Sequence, residues 1–81
     1  MAYVYMLKGA KGRYYIGCTK DVEARITRHN TGMVYSTRRL GLPLELEACG
    51  EFADMDEARR VETKLKKWKS PKKALEFLRM T

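Results

Sequence analysis

AYVYMLKGAKGRYYIGCT, residues 2–19, is the stretch whose reading decides the fold. Residues 2–8 and 14–19 are rich in β-formers, and the Gly-flanked polar segment GAKGR between them is a turn. The pair therefore reads as an antiparallel hairpin. Side chains alternate across a strand, so Tyr3, Tyr5 and Leu7 share one face of the first strand. By the same rule Tyr15, Gly17 and Thr19 share one face of the second.

Outward from the hairpin, DVEARITRHN (21–30) is a helix, with Thr19 or Asp21 to cap it and Gly32 to stop it. Val22, Ile26 and His29 fall on one side of its wheel, and Arg25 flanks them. Residues 33–43 read as a loop ending in Pro43, and LELEACGEFA (44–53) as a third strand with Gly50 as a candidate bulge. Asp54 and Glu57 have capping-box spacing ahead of a helix over 55–69. Its apolar stripe is Ala58, Val61, Leu65 and Trp68. Ser70-Pro71 breaks that helix and starts another over 71–80, with Ala74, Leu75 and Leu78 facing inward. The expected architecture is α/β: a small antiparallel three-stranded sheet flanked by helices, in the order β-β-α-β-α-α.

Residues 1–81 form a single domain, too short for a second core. The opening run MAYVYMLKG is far too short for a membrane span or a signal peptide, so a cytoplasmic location and no membrane partner are expected. Cys18 and Cys49 have no CxxC spacing and no histidine nearby, and read as reduced, partly buried small apolar residues. The net charge is +7, and its distribution says more than its size. From Arg59 to Lys73 there are eight basic residues and one acid, Glu62. Arg25, Arg28, His29, Arg38 and Arg39 form a second basic group. Two such clusters on so small a body point to a polyanion, since each phosphate contact releases condensed counterions. A solvated cationic surface is the plainer alternative.

Two placements break the binary pattern. Glu62 lies inside the apolar arc of its helix, where a carboxylate either pairs with a base such as Lys66 or Arg59 or binds a metal. Arg25 and His29 are four apart on the sheet-facing edge of the first helix. Taken singly, His29 reads as a hydrogen-bonded core residue and Arg25 as a snorkelling one. Tyr3, Tyr5, Tyr14 and Tyr15 crowd into one hairpin, as core residues with wet hydroxyls or as acid–base groups. An ordinary tyrosinate lies about 4 kcal/mol uphill at pH 7. A neighbouring arginine or divalent ion lowers that gap.

The pair VYM (4–6) and YIG (15–17) resembles the two signature strands of the GIY-YIG nuclease family. The resemblance runs on through GCTKDVEARITRHNTG (17–32), Thr37, Pro43 and ARRVETKLKKWKSPKK (58–73), nearly the whole chain, and is closest to the family's small single-domain bacterial branch. It implies that Tyr5 and Tyr15 are the motif tyrosines, with Tyr5 favoured to deprotonate the attacking water. Gly17 is implied as the motif glycine, Arg25 as stabilising phosphate charge, and His29 as assisting the tyrosine or the phosphate. Glu62 is implied as the ligand of one divalent cation, Mg2+ or Mn2+. Thr37 and Lys66 are implied on the phosphate side, and Arg38, Arg39 and Lys69 are expected to rim the same patch. Two departures stand out: Val-Tyr-Met lacks the first motif's glycine, and Trp-Lys-Ser-Pro-Lys-Lys replaces a segment where many relatives carry an asparagine.

The implied activity is metal-dependent endonucleolytic hydrolysis of phosphodiester bonds, in DNA rather than RNA, serving repair or recombination. A partner protein supplying specificity is part of that expectation. The rival readings are a non-catalytic nucleic-acid-binding module of the same fold and a protein-interaction domain with an inert pocket.

Overall fold

A computed structural model describes residues 1–81, apart from the side chain of Ser36. Strands β1 (Ala2–Lys8) and β2 (Tyr14–Thr19) are followed by helix α1 (Val22–Asn30), a single helical turn α2 (Tyr35–Arg38), strand β3 (Glu45–Phe52) and helices α3 (Met55–Trp68) and α4 (Pro71–Arg79). The sheet is antiparallel in the order β2-β1-β3, which leaves the outer side of β2 without a strand partner. The expected α/β architecture is therefore the one observed.

Strand β1 is buried on both faces: Val4, Tyr5, Met6 and Leu7 are each at most 1% exposed. Alternation divides them. Ala2, Val4 and Met6 pack with Ala58 and Leu65 of α3 and with Ala74 and Leu78 of α4. Tyr5 and Leu7 face the other way, into Leu44 and the half-buried Val22, Ile26 and Leu40. The helices thus sandwich the sheet, and each face of β1 has its own core.

The ends of the helices follow from capping. Asp21 caps α1 by accepting from the Ala24 amide at 3.0 Å, and its own amide donates to Thr19 Oγ1 at 3.2 Å, so both candidate caps are used. Asp54 accepts from the Glu57 amide at 2.8 Å, and Glu57 reaches back to the Ala53 amide at 3.4 Å. Glu57 thus reaches the residue before the cap, and only the Asp54 half of the box satisfies an orphan donor of the helix. Helix α3 stops at Trp68 because Lys69 turns left-handed, with φ of 51°. Ser70 then caps α4, whose first residue is Pro71.

Four expectations need correction. Residues 33–43 are not wholly loop, since they contain α2, whose one turn is too short to show a helical period. The irregularity in β3 lies not at Gly50 but opposite Met6 and Leu7, which pair with Ala48 and Leu46 and leave Glu47 over. Gly50 is instead closed over by Thr81: a Cβ there would collide with Thr81 Oγ1. Trp68 does not bury against the sheet; it is 38% exposed and meets Phe77 edge-on at 5.7 Å between centroids. Cys18 is half-buried as expected, but Cys49 is exposed. Among the described residues, no helix is long and apolar enough to cross a membrane.

Candidate active site

The hairpin register sets Tyr5 directly opposite Gly17. That pairing is necessary: a Cβ on Gly17 would lie 2.5 Å from the Tyr5 hydroxyl, 2.7 Å from its Cζ and 3.0 Å from Tyr15 Cε2. The glycine is the floor on which both rings rest. Gly17→Ala is therefore expected to displace Tyr5 from its buried position and to lower the melting temperature. It is also expected to reduce any catalytic rate by more than the loss of stability explains. A variant that melts and reacts like the parent removes the glycine from this role.

From Tyr5 a chain of hydrogen bonds runs inward. The Tyr5 hydroxyl lies 3.0 Å from His29 Nε2, and His29 Nδ1 lies 2.8 Å from Thr37 Oγ1. All three residues are at most 1% exposed. The Thr37 hydroxyl donates to the Val34 carbonyl at 3.3 Å, as a threonine one turn into a helix does. It therefore accepts the His29 Nδ1 proton, and neutral His29 keeps a lone pair on Nε2 to accept from the Tyr5 phenol. The Tyr15 ring lies tilted beside them, its centroid 5.2 Å from that of His29 and 6.3 Å from that of Tyr5.

Charges reinforce this protonation pattern. Burial pushes the Tyr5 phenol well above its usual value; Tyr15, Glu62 and Cys18 push the same way, and Arg25 alone opposes them. Burial also lowers the His29 pKa, aided by the positive charges of Arg25 and Arg28. At neutral pH the resting pair is thus a neutral phenol donating to a neutral imidazole.

Glu62 approaches the edge of this cluster from α3. Its Oε1 accepts from the Cys18 thiol at 3.0 Å, and its Oε2 accepts from Lys66 Nζ at 2.6 Å. Burial and the Glu62 carboxylate together push the Cys18 thiol up to about 11. Lys66 also stands 5.8 Å from the Tyr15 ring centre, bridging the carboxylate and the tyrosines. The pairing read from the sequence is the one seen, with Lys66, and the Glu62 side chain remains 19% exposed at a groove on α3.

Depressions lie on α3 and beside β2. Lys66 and Lys69 border two of them: one of about 490 Å3 with Arg59 and Glu62, and one of about 410 Å3 with Tyr15 and Ser70. A third, of about 400 Å3, is lined by Cys18, Thr19, Arg25 and Arg28. The structure brings Tyr5, Tyr15, Gly17, His29 and Thr37 into direct contact and sets Arg25 and Glu62 within charge range of the Tyr5 hydroxyl. Arg38 and Arg39 are exposed on and beside α2, with the Arg38 guanidinium 5.5 Å from the Tyr35 ring centre. Cys18 reads from the sequence only as a small apolar residue and Arg28 only as one of the second basic group; the structure sets Cys18 on Glu62 and puts Arg28 beside Arg25 in the third depression.

Among the described residues, no three of His, Cys, Asp and Glu are grouped to hold an ion unaided. The donor set still suits a hard divalent cation. A lone, partly exposed carboxylate leaves most positions to water and substrate oxygens, as Mg2+ prefers. Lys66 has to yield Oε2 for that.

Residues 1–74 match the family described as the GIY-YIG catalytic domain. The chain is 42% identical to a UPF0213 protein of Streptococcus pneumoniae over 95% of its own length and 77% of that protein's. It is 38% identical to one of Bacillus pumilus over 90% and 74% of the two chains. With one of Halobacterium salinarum it shares 35% identity over 82% and 86%. No solved structure matches. The motif strands, the tyrosine–histidine chain they carry and the extent of these matches agree, and the chain belongs to the GIY-YIG catalytic domain family, a family of nuclease type.

Proposed function

We propose that this protein is an endonuclease that hydrolyses phosphodiester bonds in DNA with one divalent cation, Mg2+ or Mn2+, held by Glu62. The observation that supports it most is the buried chain from Tyr5 through His29 to Thr37, with the Glu62 carboxylate within charge range of its Tyr5 end. When bound, the ion neutralises charge on the phosphate as the pentavalent arrangement forms. A water attacks phosphorus and gives its proton to Tyr5 Oη while the phenol proton passes to His29 Nε2. The relay spares the site a free tyrosinate, which the raised Tyr5 pKa makes costly. Thr37 keeps Nδ1 protonated and the ring aligned. Arg25 faces the non-bridging oxygens, and the leaving oxygen takes its proton from solvent. Lys66 and Lys69, with Arg38 and Arg39, supply the positive rim for the flanking phosphates.

The test is cleavage of labelled DNA of several structures, with Mg2+, with Mn2+ and with chelator. Ion-dependent cutting supports the reading. Salt-sensitive binding without cutting under any condition overturns it and leaves a binding module of the same fold.

The relay has a pH signature. His29 is held neutral in the fold, so its proton affinity there is below that of the unfolded chain. Its contribution to stability is complete above about pH 6.5 and is lost as pH falls below that value, where only the unfolded chain takes the proton readily. The protein is expected to melt lower at pH 5 than at pH 7.5, and His29→Gln to shrink that difference. Equal pH sensitivity in the two proteins would contradict the neutral assignment.

A further inference from the structure

Residues 24–44 contain Arg25, Arg28, Arg38, Arg39 and His29 and neither Asp nor Glu. Three of the seven exposed large hydrophobic residues among those described lie in the same span: Met33 at 85%, Tyr35 at 67% and Leu42 at 39%. Tyr35 opens the helical turn α2, and Met33 lies two residues before it. Clustered exposed apolar groups mark contact surfaces. The company they keep says with what. The Arg38 guanidinium lies 5.5 Å from the Tyr35 ring centre, so one face of the ring is already backed by a cation. The ring is 67% exposed, and the segment that carries it has no Asp or Glu.

The position of α2 adds a second argument. Its Thr37 is fully buried and holds His29, so the turn that carries Tyr35 outward is tied to the reaction centre at its inner side. We infer that Tyr35 is a stacking platform for an unpaired base, with Arg38 and Arg39 holding the adjoining phosphates, so that the preferred substrate has a single-stranded segment next to the cut. A base within a duplex has both faces covered by its neighbours. An unpaired base has a face free for an aromatic ring, and such stacking is tolerant of sequence. This inference rests on the nucleic-acid reading proposed above and deepens it.

The experiment measures binding by fluorescence anisotropy at fixed low salt with chelator present, so that nothing is cut. The probes are labelled oligothymidylate, an abasic sugar–phosphate strand of equal length, and a blunt duplex. Wild-type protein is expected to bind oligothymidylate more tightly than the abasic strand or the duplex. Tyr35→Ala is expected to weaken oligothymidylate binding roughly 5- to 150-fold, the range that losing one stacked base gives. It should leave the abasic strand and the duplex nearly unchanged, while Tyr35→Trp restores the preference. Circular dichroism checks that the variants fold. Equal losses on all three probes, or none on any, overturn the platform while leaving nucleic-acid binding in place. Wild-type protein that binds none of the probes defeats the proposed function, and the platform with it.

Discussion

Glu62→Gln is expected to abolish cleavage in Mg2+ or Mn2+ while nucleic-acid binding stays within a few-fold of the parent. The substitution keeps the shape of the side chain and its acceptor toward the Cys18 thiol. It removes the negative charge that makes the position a cation ligand and that holds Lys66 Nζ at 2.6 Å. A hard cation loses its protein carboxylate, and among the described residues no group of three His, Cys, Asp or Glu stands ready to hold it instead. Lys66 is released toward the groove it already lines, so phosphate affinity is not lost. Stability should fall little, since an i,i+4 pair with one partner half-exposed is worth only about 0.3–0.5 kcal/mol. Cleavage and anisotropy assays on one preparation decide the matter. Parental cutting by the variant would remove Glu62 from the site.

Tyr5→Phe should cost at least about 100-fold in rate, as loss of acid–base assistance does. The ring stays, and with it the packing against Leu7 and Leu44. Removing the hydroxyl breaks the relay and leaves His29 Nε2 a buried acceptor without its partner, at about 1–3 kcal/mol of stability. Tyr15→Phe serves as the contrast. Tyr15 is half-buried and meets His29 through its ring, so a smaller loss is expected. A pH–rate profile separates chemistry from folding: the parent should lose activity only as pH drops below the ordinary histidine range, because the fold depresses the His29 pKa. Were Tyr5→Phe to cut at the parental rate, His29 would have to take the water's proton itself.

How far the sequence discloses this arrangement depends on the length scale of the signal. The hairpin is written in two-residue alternation, which fixes which tyrosines share a face and puts Tyr5 and Tyr15 together on the side away from α3. Glu62 is visible as an acid in an apolar arc, and the structure shows it half-buried there with a thiol and an ammonium on its two oxygens. Thr37 is different. Its burial is created by His29, eight residues away, and by a single helical turn that leaves no periodic trace. Trp68 sits in the apolar stripe by spacing, yet the left-handed Lys69 ends the helix and leaves the indole leaning on Phe77. Patterns repeated along an element are legible; contacts made once, between distant elements, are not.

The ammonium of Lys66 on Glu62 has a consequence for the order of events. If Glu62 holds the ion as proposed, Lys66 is a tethered counter-cation on the same carboxylate, and free Mg2+ would have to compete with a neighbour that never diffuses away. A phosphate entering the groove offers Lys66 another anion and vacates the carboxylate. Ion and nucleic acid then favour one another's arrival, and thermodynamic reciprocity makes the help mutual. Such a site stays largely unloaded when no strand is present, which couples readiness for chemistry to possession of something to cut.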